Sequence, residues 1–372
     1  MAGAAQILIG AFEARFHSTP DLARAPGRVN LIGEHTDYNL GLALPIAIQL
    51  DCYAASAPNR HGVLRVHSEN LKQSREWPIQ QIPELRATGD WSDYVVGIAR
   101  QLPLGRGRDL MIASNVPLGS GLSSSAAFEI SIALALGWTG ELPNIELAKL
   151  GQRAENEFIG LPSGIMDQYV SVFGQSNAAV LIDCRSLESE PVTLPGNLAI
   201  VAVNTMVKHQ LGQSAYRQRV AECAAAARDL PVESLRDARP EQLACIRDPT
   251  IRRRARHVLS ENQRVLNFVE ASRNGNLREM GQLLVESHRS LEQDYEVSCE
   301  ELDFLVNRAL QIEGTLGARM TGGGFGGCTV NLLEPQAVER FQQTLGAAYR
   351  QEFGIEPQFY HVHPAPGAQR IF

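Results

Sequence analysis

Between Asp109 and Leu136 the chain reads as a strand, a glycine-rich turn, three serines in a row and an apolar helical run. The strand is Asp109-Leu110-Met111-Ile112-Ala113. The turn lies within Val116-Pro117-Leu118-Gly119-Ser120-Gly121-Leu122, and Ser123, Ser124 and Ser125 lead into the helix, which is apolar from Phe128 to Leu136. Glycines let the backbone turn tightly and bring its amides close to a ligand. The helix start adds unsatisfied N–H groups and the positive end of the macrodipole. The junction is therefore an anion site in the making. No Gly-Lys-Ser/Thr follows, so it is not a Walker-type loop. One serine would suffice to cap the helix, and three favour phosphate binding. Their hydroxyls also suit Mg²⁺, which prefers oxygen ligands.

Three further stretches are dense in chemistry. Pro26-Gly27-Arg28-Val29-Asn30-Leu31-Ile32-Gly33-Glu34-His35-Thr36-Asp37-Tyr38-Asn39 gathers a guanidinium, two acids, an imidazole and amides around glycines. Arg28 offers a rigid fork of donors, Glu34 and Asp37 offer acceptors, and His35 can do either. That mixture suits a small, hydroxyl-rich ligand, although a turn-rich loop between strands would explain the stretch equally well. In Gly160-Leu161-Pro162-Ser163-Gly164-Ile165-Met166-Asp167-Gln168-Tyr169, Asp167 follows a Pro/Gly turn. By spacing alone it reads as a helix N-cap. Gly317-Ala318-Arg319-Met320-Thr321-Gly322-Gly323-Gly324-Phe325-Gly326-Gly327-Cys328 reads as a loop running into a strand, Thr329 to Leu333. So many glycines imply positive φ angles or close backbone approach to a ligand or to the other loops.

The bulk properties narrow the class. At 372 residues the chain exceeds one ordinary core and predicts two domains. A net charge of −7 gives no footprint for nucleic acid or an acidic membrane surface. No apolar run is long enough to span a bilayer, and the N-terminus lacks the pattern of a signal peptide. Six cysteines (Cys52, Cys184, Cys223, Cys245, Cys299, Cys328) occur without a Cys-x-x-Cys pair. That usage fits free thiols in a reducing cytoplasm. The pair His361 and His363 has no Cys or carboxylate close by in sequence, which argues against zinc.

Along the chain, Leu8, Phe12 and Phe16 predict one face of an opening helix, closed by Thr19-Pro20. Leu22 to Leu50 reads as extended around the first dense stretch. Tyr53 to Ser56 and Val63 to His67 read as strands. Trp91, Tyr94, Val95 and Ile98 fall at helical spacing, a helix is expected over Glu141 to Ile159, and Pro191 to Gly196 reads as a linker. Beyond it comes a strand, Leu198 to Val203, then helix through Leu310 and a closing strand at Gln358 to Val362. The Arg252-Arg253-Arg254-Ala255-Arg256 cluster reads as a solvated helix face.

With these segments in place, the chain resembles the galactokinases of the GHMP small-molecule kinase superfamily. Gly27 to Asn39 is similar to the galactokinase signature. Pro117 to Ala127 resembles the superfamily's ATP motif, Gly164 to Gln168 the segment with its catalytic aspartate, and Gly317 to Cys328 its third motif. Similarity at Asn204 through Tyr216 and at Asp294 to Cys299 extends it to nearly the whole chain. The resemblance implies an α+β fold of two domains, residues 1–195 like ribosomal protein S5 domain 2 and residues 196–372 ferredoxin-like, with the site between them. It implies Asp167 and Arg28 as catalytic residues, with Asp167 taking the sugar's anomeric proton. Glu34, His35, Asp37, Gly164 and Tyr216 would contact galactose. Gly119, Ser120, Gly121, Leu122, Ser123, Ser124 and Ser125 would cradle the phosphates of ATP, Trp91 would meet the adenine, and Ser125 and Glu155 would hold Mg²⁺. It also implies a monomer whose partners are only a sugar and ATP.

The sequence departs from the family pattern at Leu40, Ser163, Ala215, Val220 and Gly323. Leu40 and Ala215 flank the sugar-binding positions and leave open N-acetylgalactosamine, arabinose or galacturonate as acceptor. A non-catalytic galactose sensor is the rival from another class. It would be expected to have lost part of the phosphate motif, yet Ser125, Arg28 and Asp167 are all present.

Overall fold

The structure, a computed structural model, describes residues 2–208 and 212–371. His209, Gln210 and Leu211, inside the similarity from Asn204 to Tyr216, lie outside the described residues.

Helix α1 (Ala2–Phe16) lays Leu8 and Phe12 against Leu22, Tyr53 and Met111, the apolar face that the four-residue spacing predicts. Strands β1 (Asp21–Ile32) and β2 (Leu42–Pro58) form a long antiparallel pair. The loop between them, residues 33–41, carries Glu34, His35 and Asp37. Strands β3 (Val63–Ser68) and β4 (Gln73–Pro78) make a hairpin, and helix α2 (Asp93–Ala99) follows. Val95 and Ile98 of α2 are buried in the core, whereas Trp91 and Tyr94 turn toward the cleft described below. Strand β5 (Arg108–Ser114) runs through the glycine turn into α3 (Ser124–Ala135).

The expected helix over Glu141 to Ile159 is shorter at its start. Asn144 accepts from Glu146 N and begins α4 (Ile145–Arg153), which widens into a π-helical turn at Ala154–Ile159. Helix α5 (Met166–Phe173) starts one residue before Asp167, which therefore sits in the first turn rather than at the cap. Strands β6 (Ala178–Asp183) and β7 (Ser189–Thr193) form a hairpin that reaches into the expected linker, with Pro191 opposite Val180 on an edge strand, where proline is tolerated.

The second sheet begins with β8 (Ala199–Lys208), followed by helices α6 (Gly212–Asp229), α7 (Pro249–Arg273), α8 (Leu277–Ser290) and α9 (Glu300–Ala309). Strands β9 (Thr315–Thr321) and β10 (Gly326–Leu333), helix α10 (Val338–Phe353) and strand β11 (Gln358–Val362) complete it, in the order β11-β8-β10-β9. A last short strand, β12 (Gln369–Arg370), returns to the first sheet, whose order is β12-β1-β2-β5-β3-β4, with β6 attached to β2 and β7 to β6.

Two expectations are corrected here. Gly317 to Cys328 is not one loop but a hairpin: β9 and β10 flank a turn at residues 322–325. Gly317 serves helix–strand approach instead, because a Cβ there would lie 2.4 Å from Gly281 O on α8. The arginine cluster is not a solvated face either. Arg254 is only 2% exposed and binds Glu222 and Glu296. Arg252 donates to Ile246 O, Arg253 to Glu296, and Arg256 pairs with Asp294. Clustered arginines there neutralise acids on two other elements, which a linear charge count does not reveal.

Candidate active site

A cleft of about 840 Å³ collects residues from all four dense stretches. Gly119, Gly121, Ser123, Ser124 and Ser125 line it, as do Arg28, Glu34, His35, Asp37, Trp91, Glu155, Gly164, Asp167 and Tyr216. Ser120 and Leu122 do not. The Ser120 hydroxyl donates to Pro117 O and receives Leu122 N, while the Leu122 side chain is fully buried. The local reason is the stitching of the turn to β1: Arg28 N donates to Leu122 O at 3.0 Å, and a Cβ on Gly27 would sit 2.7 Å from that oxygen.

The glycine turns meet back to back. Gly121 has φ +79 and Gly322 φ +87, and a Cβ on Gly322 would come within 3.0 Å of Gly121 O. The third stretch thus braces the phosphate-like turn. No side chain caps α3, so its first N–H groups stay available to an anion. The three serines divide the work. Ser123, at φ 56, donates its hydroxyl to Asp167 Oδ2, and Ser124 and Ser125 face the cleft.

Asp167 is held by three donors. Arg28 binds it through Nε to Oδ1 at 2.8 Å and through Nη2 to Oδ2 at 2.7 Å, and Ser123 adds the third. Arg28 Nη1 also donates to Gly121 O at 2.5 Å, so a single guanidinium links the acid to the glycine turn. The Asp167 carboxyl is 27% exposed, which leaves one side open to the cleft.

Around it stand the hydroxyl-matching groups. Asp37 accepts from Tyr38 N, and burial followed by the charge of Asp167 raises its pKa to about 6. Gly164 packs against it so closely that a Cβ would fall 2.0 Å from Asp37 Oδ2. Glu34 accepts from Asn30 Nδ2 at 2.6 Å, Gly322 N at 2.6 Å and Arg319. Burial pushes its carboxyl up to about 7, against the pull of Arg319 and Arg28. Burial, then His257 and Arg219, holds His35 down at about 3, so its imidazole is neutral. Tyr216 lies 5.5 Å from the His35 ring, centroid to centroid.

Glu155 on the π-helical turn and Ser125 at the start of α3 offer oxygen ligands to the same cleft. Burial raises the Glu155 pKa, opposed by the Ser163 hydroxyl, which donates to Oε2 at 2.5 Å. Behind it lies Glu129, fully buried, held by Gln168 Nε2 at 2.9 Å and pushed well above the carboxylate range by burial and by Glu155. This accumulation of carboxyls with few cations suits a hard divalent cation such as Mg²⁺. At the other end Trp91, Tyr94, Phe128, Leu71 and Leu118 make an apolar mouth able to take a planar base. Trp91 is fixed by Nε1 to Gln73 Oε1 at 2.9 Å and by Arg75 over its ring.

Comparison with known proteins places the chain in a family. Residues 10–58 match the galactokinase galactose-binding signature, residues 93–175 the GHMP kinases N terminal domain and residues 268–351 the GHMP kinases C terminal. The chain is 40% identical over 365 residues to a galactokinase of Pasteurella multocida, covering 94% of each. It is 44% identical over 362 residues to one from Chloroflexus aurantiacus, covering 92% of this chain and 91% of that protein. The chain belongs to the galactokinase family. The crystal structure of Lactococcus lactis galactokinase complexed with galactose superposes with a TM-score of 0.93 at 35% identity, covering 99% of this chain and all of that one. Methanococcus jannaschii mevalonate kinase, at 17% identity and a TM-score of 0.68, shares the two-domain GHMP kinase fold.

Set against the galactokinase pattern, the departures fall into two groups, with Val220, like Leu40 and Ala215, outside the cleft lining. Leu40 and Ala215 do not line the cleft, and Leu40 instead caps a turn at φ 55 with its carbonyl receiving Arg236. Ser163 and Gly323 do line it, Ser163 through its bond to Glu155. Sequence reasoning missed Arg319, Glu129 and Gln168. Glu129 did leave a signal, a lone carboxylate inside the apolar run Phe128 to Leu136. Arg319 left none, because its partner Glu34 lies 285 positions away.

Proposed function

We propose that this protein transfers the γ-phosphoryl group of ATP to O1 of D-galactose, giving galactose 1-phosphate and ADP. The observation that carries the reading is the junction at Asp167. One carboxylate, fixed by the Arg28 fork and Ser123, stands between the glycine turn that suits phosphate and the Asp37–Gly164 pair that suits a sugar.

In this reading Glu34, His35, Asp37 and Tyr216 hold the galactose hydroxyls, and Gly164 makes room for Asp37. The O1–phosphorus bond forms as the bond to the leaving ADP oxygen breaks, and the O1 proton passes to Asp167. Phosphoryl transfer of this kind is largely dissociative and needs little prior deprotonation. Held in place by its three donors, Asp167 aims the hydroxyl early and accepts the proton late. Arg28 offsets charge on the transferred group while tying it to the glycine turn. Ser125 and Glu155 would hold Mg²⁺, which neutralises phosphate charge when bound. Trp91 and its apolar neighbours receive the adenine.

Placement of Leu40 and Ala215 outside the cleft supports galactose over its analogues. The complete set Ser125, Arg28 and Asp167 supports turnover over sensing. Among the described residues no helix is long and apolar enough to cross a membrane. The free cysteines support action in a reducing cytoplasm, and the reading takes the protein to act as a monomer. The test is ADP production with Mg-ATP and, one at a time, galactose, N-acetylgalactosamine, arabinose, galacturonate, glucose and mevalonate. Strong preference for galactose is expected. Preference for another sugar would move the substrate, and silence on all of them with ATP still bound would favour a sensor.

A further inference from the structure

A chain of hydroxyls runs from the sugar end of the cleft into the second half of the molecule. His35 Nδ1 lies 2.8 Å from the Tyr38 hydroxyl, which lies 2.7 Å from the Tyr295 hydroxyl, which lies 3.0 Å from Cys223 Sγ. All four side chains are more than half buried, and the other ring nitrogen of His35, Nε2, is buried beside the Gly323 backbone without a well-formed hydrogen bond. The His35 ring also packs at a tilt against Tyr295, 4.9 Å between centroids, and Tyr216, 5.5 Å. Tyr295 is itself gripped through the backbone. Arg219 donates to Tyr295 O at 2.6 Å and to Glu296 O at 2.9 Å, and Arg254 donates to Asp294 O at 2.6 Å. The phosphoryl-transfer scheme above makes no use of this relay.

We propose that Tyr295 and Tyr38 are positioning residues that fix the tautomer of His35, so that it meets the sugar as an Nε2–H donor. The chain can run in two directions. If His35 Nδ1 carried the proton, Tyr38 would donate to Tyr295 and Tyr295 to sulfur, a weak acceptor. In the other direction the weak S–H donor faces a good oxygen acceptor, and both phenols donate to good acceptors, the last being an imidazole nitrogen. The link between the two phenols is equivalent in both arrangements, and the second matches donors to acceptors better at the imidazole and sulfur ends. The environment keeps the needed protons in place: burial pushes both phenols well above their usual range and the Cys223 thiol up to about 11, and His35 is neutral. A neutral His35 that receives a proton at Nδ1 carries its own on Nε2. That donor is matched to a sugar oxygen, while Asp37 and Glu34 supply the acceptors. A site built from such pairs discriminates strongly among sugars.

The part concerning sugar selection rests on the galactose reading; the tautomer does not. Nitrogen-15 NMR of the histidine rings in the sugar-free protein tests the tautomer directly, with a His35→Gln sample to assign the signal. A protonated Nε2 and bare Nδ1 are expected, and a protonated Nδ1 would overturn the proposal whatever the variants do. Steady-state kinetics of Tyr38→Phe and Tyr295→Phe supply the second arm. Galactose KM should rise roughly fivefold or more, further for Tyr38→Phe than for Tyr295→Phe, with kcat and the KM for ATP changed by less than about twofold. A merely structural role would lower kcat and ATP affinity together, and an unchanged galactose KM in both folded variants would also overturn the proposal. Should the wild-type protein fail to turn over galactose, the functional reading falls while the ring spectrum still decides the tautomer.

Discussion

At the scale of single residues, the account rests on Asp167, Asp37 and Gly164. Replacing Asp167 with Asn keeps the size and the Arg28 contact at one oxygen but cannot take a proton. Asp167→Asn is expected to lower kcat by about 10²–10⁴-fold while leaving ATP binding near wild type by calorimetry. Gly164→Ala places a methyl 2.0 Å from Asp37 Oδ2, so galactose KM should rise at least about tenfold; an unchanged KM would show that Asp37 is not held there. Asp37 carries a pH signature as well. Its folded pKa of about 6 exceeds the ordinary carboxylate value of 3.8, so stability from this group is present below pH 3.8 and lost as pH rises through 6. Melting curves should therefore show Asp37→Asn more stable than wild type at pH 8, with the gap closing toward pH 4. A less stable variant at pH 8 would mean that the buried charge is better compensated than its neighbours indicate.

At the scale of elements, the legible parts were those whose signal is local. The α1 face of Leu8 and Phe12, the β5–glycine–serine–α3 junction and the closing strand at Gln358 to Val362 follow from periodicity and turn chemistry within a few residues. What sequence could not show were contacts between distant elements. Gly317 looks like a loop residue until α8 presses Gly281 against it. Arg254 looks solvated until Glu222 of α6 and Glu296 close over it. The same holds in the site, where three adjacent serines are indistinguishable in sequence, yet only Ser123 reaches Asp167, because its φ of 56 turns it out of the helix. The arginine network gives the prediction proper to this scale. Arg254→Ala leaves Glu222 with Arg219 alone and Glu296 with Arg253 alone and should cost about 1–3 kcal/mol in chemical denaturation, against less than about 1 kcal/mol for the exposed Arg273→Ala.

At the scale of the whole molecule, the cleft depends on how firmly the two sheets are joined. Glu34 on the first side receives Arg319 and Gly322 N from the second, and Arg319 also donates to Leu31 O. Val265, Phe268 and Val269 of α7 share one continuous core with β1 and β2. Strand β12 returns to pair with β1, where Arg24 binds Gln369, Pro366 O and Gly367 O. The halves are therefore expected to unfold together. Trp77, Trp91 and Trp138 all lie on the first side, whereas most of the long helices lie on the second, so fluorescence and far-ultraviolet dichroism report different halves. Their denaturation curves should coincide, and two separated midpoints would show that the sheets are independent. The central claim, transfer to O1 at the Asp167 junction, is most directly tested by phosphorus-31 NMR of galactose and Mg-ATP mixed with the wild-type protein and with Asp167→Asn. The wild type should give a sugar phosphate signal coupled to the anomeric proton, and the variant almost none. Phosphate on another oxygen, or equal product from both proteins, would contradict it.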